Sequence, residues 1–553
     1  MHLKKLNLLA ILLFCLCLKA NGQKNTTAYS WQHLPTAELP SFKTDTFNIE
    51  KFGAKAGGFT LNTQSINAAI NACSEHGGGV VLIPPGFWLT GPVVMKSNVN
   101  LHLSKAAVLQ FTSDKSSFAL IEGNFEGHKS IRNQSPISGK DLQNIAITGE
   151  GIVDGHGEVW RAMGKDNVTD RDWKTLIASG GELSDDGRTW YPSASYAKGA
   201  RTRNAGYMQT GKKLDDYQEI KDFFRPNLIV FSNCKKVLLQ GTTFQNSAAW
   251  CLHTLQCEDL TFDGVHVRNL SNAQNGDGMD IESCSNVRVV NCTIDAGDDG
   301  ICIKSGKDEE GRKVGKPCQN ILIQNNVVYQ AHGGFVIGSE MSGGAHDIFV
   351  SDCSFFGTDN GLRFKTVRGR GGVVENIYIR NIFMRNIVHD AILFDMYYFT
   401  QAPSLAQTGG EEEKPPVDAG TPQFRNFYIN NVVCDGANRA MLIRGLPEMS
   451  IKGIHLENIS IKADHGAEVI DASDVSLTKV MLQCKTARPL VHIENSNKIR
   501  INALASAAKP DLLLSINGKY MRQVDLLHTD ISSAVQVAEF KYGADKSVLT
   551  ITK

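Results

Sequence analysis

The stretch Cys284-Ser285-Asn286-Val287-Arg288-Val289-Val290-Asn291-Cys292-Thr293-Ile294 recurs, in varied spelling, along most of the chain. The same plan starts again at Cys234, Cys257, Cys318, Ala345, Val374, Phe424 and Ile451, and Leu142 to Val153 is an earlier, looser copy. Most copies are apolar at the fourth, sixth and last positions, here Val287, Val289 and Ile294. That alternation is the period of a strand with one buried face. The eighth position is occupied by Gly241, Gly264, Asn291, Asn325, Asp352, Asn381, Asn431 and Asn458, residue types that suit a tight bend. From Cys234 to Val374 successive copies begin 23, 27, 34, 27 and 29 residues apart, the spacing of a solenoid with one coil per repeat. Period two and the richness in Val, Ile and Asn argue against helical repeats. An all-β fold, a parallel β-helix, follows.

Working outward from the repeats, an open coil needs caps, because its end exposes unpaired strand edges. Thr63 to Cys73 is the clear amphipathic helix, with Ile66, Ala69, Ile70 and Cys73 on one face, and we place it over the N-terminal end. Residues from about 160 to 224 form an insertion without the repeat pattern, and Thr408 to Pro422, rich in Pro and Glu, reads as an exposed loop. After about residue 475 the pattern weakens to irregular strands. Residues 1–22 read as a secretory signal: Lys4 and Lys5 precede an apolar run from Leu6 to Leu18, too short for a membrane span, and Ala20-Asn21-Gly22 offers small residues for cleavage. Cys15 and Cys17 keep a lipoprotein reading open. Residues 23–46 are then an N-terminal extension and 47–553 a single domain, secreted or periplasmic, with no membrane span and expected as a monomer.

The chain of 553 residues carries 57 basic and 57 acidic residues, so its overall charge gives no argument for nucleic acid or an anionic membrane. Eleven of the 13 cysteines lie beyond the signal. Four of them, Cys234, Cys257, Cys284 and Cys318, occupy one repeat position, so stacked buried thiols are favoured over disulfides, and no Cys/His spacing suggests zinc.

Chemistry concentrates in Asn275-Gly276-Asp277-Gly278-Met279-Asp280 and Gly297-Asp298-Asp299-Gly300, followed by His332-Gly333-Gly334 and Arg363-Phe364-Lys365. Short strands before each repeat, around Leu252, Met279, Ile301, Phe335, Leu362 and Ile392, should stack into one sheet at roughly 4.8 Å per strand. Alternation turns Asp280, Cys302, Lys304, Arg363 and Lys365 to its outer face, so acids and cations line one groove. Asp298 and Asp299 would point to opposite faces of a regular strand; both reach the groove if the flanking glycines make a bend. Neighbouring carboxylates beside cations suit acid/base hydrolysis of an acidic polymer, and their mutual repulsion raises the pKa of at least one.

At these residues the sequence resembles the polygalacturonases of glycoside hydrolase family 28, right-handed parallel β-helices that hydrolyse pectin with inversion. The family's Asn-Thr-Asp matches Asn275-Gly276-Asp277, its paired aspartates match Asp298-Asp299, its Gly-His-Gly matches Ala331-His332-Gly333, its Arg-Ile-Lys matches Arg363-Phe364-Lys365, and its subsite tyrosine matches Tyr398. The likeness spans Phe47 to about Tyr398 and is weaker beyond. The departures at Gly276, Ala331 and Phe364 leave the chemical residues intact and bear on subsite shape.

The resemblance implies Asp298 as acid, Asp277 and Asp299 as activators of water, and His332 as tuner of the acid. It implies Arg363 and Lys365 on a galacturonate carboxylate and Tyr398 on the sugar. Inversion leads us to expect the acid and base carboxyls roughly 6.5–9.5 Å apart. Asn275, Asp280 and His253 are further substrate-binding candidates, with Glu340 and Trp250 as outlying ones. Against this stands the bland reading that Asp and Asn at such corners are structural.

The expected substrate is polygalacturonate in plant pectin, with no cofactor and no required metal, though clustered carboxylates attract calcium adventitiously. The 160–224 insertion could wall off one end of the groove, with Met341 to Gly344 and Arg368 to Gly372 lining a pocket. Together with Gly338-Ser339-Glu340 this resembles exo-acting bacterial members. The alternatives are a rhamnogalacturonan hydrolase or another galacturonidase, a calcium-dependent pectate lyase, and a non-catalytic β-helix adhesin.

Overall fold

A computed structural model describes residues 29–553; the signal-like residues 1–22, with Cys15 and Cys17, lie outside the described residues. Residues 29–34 hold a turn in which Ser30 and His33 exchange backbone hydrogen bonds. From Pro35 to Lys553 the chain is wound into a parallel β-helix whose strands pair in parallel into a 14-stranded sheet and a longer, bent one of 23 strands.

Register explains the repeat. The fourth residue of each copy pairs with the fourth residue of the next: Val237 with Leu260, Leu260 with Val287, Val287 with Ile321, Ile321 with Ile348 and Ile348 with Ile377. All are buried in one continuous core. Each such side chain contributes roughly 1.5–3 kcal/mol of burial, and one coil's apolar stripe is covered only by its neighbours. Every eighth-position residue from Gly241 to Asn458 has positive φ, between 54° and 73°. A second left-handed corner recurs at the third position, including Lys236, Asp259, Asn286, Asn320 and Asn376, and the sequence pattern did not disclose it. Asparagine pairs across both corners: Asn325 Nδ2 donates to Asn291 Oδ1 at 2.7 Å and Asn320 Nδ2 to Asn286 Oδ1 at 3.2 Å. The first-position thiols stack as expected, with the Cys257 and Cys284 amides 3.3 Å from the Sγ of Cys284 and Cys318. All eleven cysteines of the described residues are free.

The helix Thr63–Glu75 caps the N-terminal coils with Ile66, Ala69, Ile70 and Cys73 buried. Beyond residue 475 the structure corrects the sequence reading. Regular coils continue through the strands Ala472–Cys484, Asn497–Ser506, Val524–Leu527 and Leu549–Thr552. The corners there fall on Lys479 and Ala503, both with φ near 55°, and neither residue type advertises a bend. The 160–224 insertion holds three short helices, Asp170–Ala178, Ala194–Arg201 and Leu214–Phe223. Its Ala205, Tyr217, Ile220 and Phe224 form a second core with Leu120 and Ile131 of an antiparallel hairpin, Leu120–Phe125 and His128–Asn133. Among the described residues no helix is long and apolar enough to cross a membrane.

The corners make a direct prediction. Asn381, φ 54°, tolerates Asn381→Gly, whereas Asn381→Val places a β-branched residue in the left-handed region at a cost of about 1–3 kcal/mol. Urea unfolding should show a lower midpoint for the valine variant alone.

Candidate active site

The groove sheet arranges the polar residues in columns. Leu252, Met279, Ile301, Phe335, Leu362 and Ile392 pair in succession, as the alternation predicted. Two residues earlier in each coil stand Trp250, Asp277, Asp299, Gly333 and Asn360, and one before that Gly276, Asp298, His332 and Asp359. The His332 amide donates to the Asp298 carbonyl at 2.7 Å, and its Nδ1 lies 3.0 Å from Asp298 Oδ1. Its Nε2 lies 3.7 Å from Asp359 Oδ2. Asp359 escaped the sequence reading, although alignment of the coils puts it directly beside His332.

Oxygens of Asp277, Asp298 and Asp299 lie within 4.8 Å of one another. This is tighter than the expected separation, because the carboxyls come from adjacent coils roughly 4.8 Å apart. Both aspartates of the pair reach the groove because Asp298 sits in the bend and Asp299 opens the strand Asp299–Lys304. The flanking glycines act differently from the expectation. Neither Gly297 nor Gly300 has a positive φ; the left-handed residue is Asn275, φ 53°, at the equivalent place one coil earlier. The glycines provide space: a Cβ on Gly297 would stand 2.5 Å from the Leu270 and Ala273 carbonyl oxygens, and one on Gly278 2.6 Å from that of Gly300.

The cations are not free. Lys365 Nζ lies 2.7 Å from Asp299 Oδ2 and Arg363 Nη1 2.9 Å from Oδ1, while Arg363 Nε is buried without a partner. Gly333 and Gly338 give these side chains room, since a Cβ on Gly333 would stand 3.2 Å from Arg363 Cβ and one on Gly338 3.1 Å from Lys304 Cγ. Tyr398 lies over both cations, its ring centroid 4.9 Å from Lys365 Nζ and 5.7 Å from Arg363 Cζ. Both oxygens of Asp299 are committed to cations, which leaves the trio fewer oxygens to offer a metal ion.

Several outward-facing residues are covered rather than solvated. Asp280, Cys302 and Lys304 are buried, and the Trp250 ring covers Lys304, its centroid 3.8 Å from Nζ. Lys304 Nζ pairs with Asp280 Oδ1 at 2.9 Å and Asp277 Oδ2 at 3.4 Å. His253 lies beneath the groove, Nε2 2.9 Å from Glu282 Oε2 and Nδ1 3.2 Å from Asn227. Asn275 Oδ1 accepts from Arg225 Nη2 at 2.8 Å. The structure thus gives His253, Asp280 and Asn275 protein partners. Their types and spacing gave no sign of this, because the partners come from other coils.

The electrostatics separate the carboxyls. Burial pushes Asp277 well above the usual carboxylate range, with Asp280 and Asp298 adding repulsion and Lys304 opposing it. Burial would also raise Asp299, but Lys365, Arg363 and Lys304 together hold it below that range. The hydrogen bond to Asp298 raises His332, outweighing burial. A carboxyl lowered in the folded state stabilises above its unfolded value, 3.8 for aspartate, and that contribution is lost as pH falls through the folded value. Asp299→Asn should therefore cost about 3–5 kcal/mol at neutral pH by stranding two buried cations, and less at about pH 2.5, where the unfolded carboxyl is already protonated. Urea titrations of both proteins at the two pH values measure the gap; an equal gap at both would contradict the pairing.

The family model for glycosyl hydrolases family 28 matches residues 175–412. A probable polygalacturonase of Vitis vinifera is 26% identical over 427 residues, covering 75% of this chain and 74% of the relative. An exo-poly-alpha-D-galacturonosidase of Dickeya chrysanthemi is 28% identical over 411 residues, covering 72% of this chain and 64% of the relative. Among solved structures, a hyperthermoactive exopolygalacturonase from Thermotoga maritima superposes with a TM-score of 0.63 at 27% identity, over 84% of this chain and 94% of that one. The family 28 exopolygalacturonase of Yersinia enterocolitica, TM-score 0.64 at 23% identity over 83% and 78%, shares the fold. Parallel coils, a carboxylate trio and relatives of one kind make the chain similar to glycosyl hydrolases family 28, the polygalacturonase family, and support a glycoside hydrolase.

Proposed function

We propose that the protein is a secreted exo-polygalacturonase that hydrolyses α-1,4-linked galacturonic acid with inversion. The observation that carries this reading is the carboxylate trio beside Arg363 and Lys365, with the hairpin 120–133 packed against Trp250 and Lys307. Asp298, the most accessible of the three at 22% side-chain exposure, donates its proton to the glycosidic oxygen as the bond to the anomeric carbon breaks. A water attacks that carbon and gives its proton to Asp299, aided by Asp277 when ionised. A protonated His332 stabilises the carboxylate that Asp298 becomes. Arg363, through its unpaired Nε, and Lys365 hold a galacturonate carboxylate. Tyr398 bounds that subsite.

The tight carboxyl spacing is nearer to that of enzymes with a carboxylate nucleophile. Inversion is favoured here because Asp299 has both oxygens clamped by cations, which leaves it poorly placed to attack carbon and well placed to orient water.

Exo-action is supported by the hairpin 120–133. Its Phe125 ring lies 5.0 Å from that of Trp250, one coil before Asp277. Its tip rests on the segment after the Asp299–Lys304 strand: a Cβ on Gly127 would stand 2.6 Å from the Lys307 amide, Glu126 lies 3.6 Å from Lys307 Nζ, and His128 Nε2 3.6 Å from Asp308. Arg370, bound to the Ser339 carbonyl and to Asp308, braces that segment. The wall we expected from residues 160–224 is therefore the hairpin, and the insertion supports it from behind through the second core. Residues 1–22 support export.

Polygalacturonate incubated with EDTA should release monomer from the outset, with no unsaturated product, and nuclear magnetic resonance should find the β-anomer first. Asp298→Asn should lower kcat by about 10²–10⁴. Initial α-anomer would establish retention, an unsaturated product would establish a lyase, and release of mixed oligomers would establish endo-action. Shortening the hairpin tip should convert monomer release into oligomer release.

A further inference from the structure

The proposed reaction leaves one buried charge without a task. Lys304 is a third cation in the catalytic strip, distinct from the two that clamp Asp299. Its ammonium faces Asp280 at 2.9 Å, Asp277 at 3.4 Å and the Trp250 ring at 3.8 Å, with 5% of the side chain exposed. Asp280 is wholly buried, and neither Asp280 nor Asp277 has another cation within 4 Å among the described residues. Asp299, by contrast, has two cations of its own. Two buried carboxyls thus divide one ammonium, and the nearer one is the carboxyl that lies outside the catalytic trio.

We propose that Lys304 is a positioning residue that makes the ionised form of Asp277 accessible, and that Asp280 moderates it by drawing the same ammonium away. This rests on the reading that Asp277, when ionised, helps Asp299 to activate water, so that turnover is faster with Asp277 ionised. The groups facing the pair come from several coils: His253 from the coil below, Glu282 from the same strand as Asp280, Asp298, Asp299 and Cys302 from the next coil, and Glu340 and Lys365 beyond. Apart from Lys304 the charged groups nearest to Asp277 are carboxyls, so the ammonium is the main counterweight to burial there. Burial likewise lifts Asp280, to about 6, against the pull of Lys304 and His253.

The two halves of the proposal predict opposite outcomes. Lys304→Met removes the shared charge and moves the acid limb of the kcat–pH profile to higher pH, by about one unit or more, equivalent to a tenfold loss on the acid side. Asp280→Asn, nearly isosteric, leaves the ammonium to Asp277 alone and moves the same limb to lower pH. Lys304→Arg, which keeps the charge, returns the limb toward its wild-type position. A purely structural role for Lys304 would lower kcat evenly and leave the limbs in place. The profiles are measured on saturating trigalacturonate, with folding checked by circular dichroism. Limbs that stay put, or that move together in Lys304→Met and Asp280→Asn, overturn the proposal. Should the wild type fail to cleave, the proposed reaction fails separately. Carbon-13 titration of labelled aspartates in wild type and Asp280→Asn then reads the same displacement directly, and an unmoved Asp277 resonance overturns this inference too.

Discussion

Everything in the molecule depends on parallel strands stacking in strict register, one coil above the next. A parallel ladder repeats at roughly 4.8 Å, so a residue in one coil has its counterpart in the next coil a few ångströms away, although 22 to 34 residues separate them in the coils from Leu252 to Leu362. Inside the coil this builds columns of Val, Ile and Leu that no single repeat could bury. Outside it builds columns of chemistry. Asp298, His332 and Asp359 form one such column and Asp277 with Asp299 another, which is how residues from four coils come to share one small volume.

Such stacking is unforgiving to charge, and the site shows how the cost is offset. Burying a carboxylate without a partner is prohibitive, and the structure surrounds four aspartates with three cations in unequal shares. Asp299 takes two of them, and Asp277 shares the third with Asp280. The carboxyls differ in the ease with which they ionise because of this allocation, and acid/base chemistry needs such a difference. The aromatic cover contributes as well: Lys304, Trp250, Phe125 and Arg132 follow one another face to face, with Arg132 Cζ 3.8 Å from the Phe125 ring. That series ties the hairpin at the end of the groove to the cation that faces Asp277.

Much of this was legible in the residues. The fourth, sixth and eighth positions of the repeat revealed strands, buried faces and corners, and alternation placed Asp280, Lys304, Arg363 and Lys365 on one face. The reading failed where local chemistry carries no mark. Lys479 and Ala503 turn left-handed corners that nothing in a lysine or an alanine announces, so the final coils read as irregular. Gly297 and Gly300 suggested a bend with unusual backbone angles, whereas their value, like that of Gly278, lies in letting adjacent coils touch. The hairpin at 120–133 lies outside the repeat, and its place across the groove is set by contacts with the segment 306–310 far along the chain.

The sequence by itself determined the coil, its direction of burial and the inventory of acids and cations, because strand period and corner preference are local properties that each repeat states again. Only the tertiary structure decided how those groups are paired: Lys365 and Arg363 spent on Asp299, His253 withdrawn beneath the groove with Glu282, and Lys304 divided between two carboxyls. The physical reason is distance. Which ion meets which within 4 Å depends on side chains from different coils leaning across one another, and on a hairpin packed against Trp250 and Lys307 from outside the repeat, and neither is encoded in any single repeat.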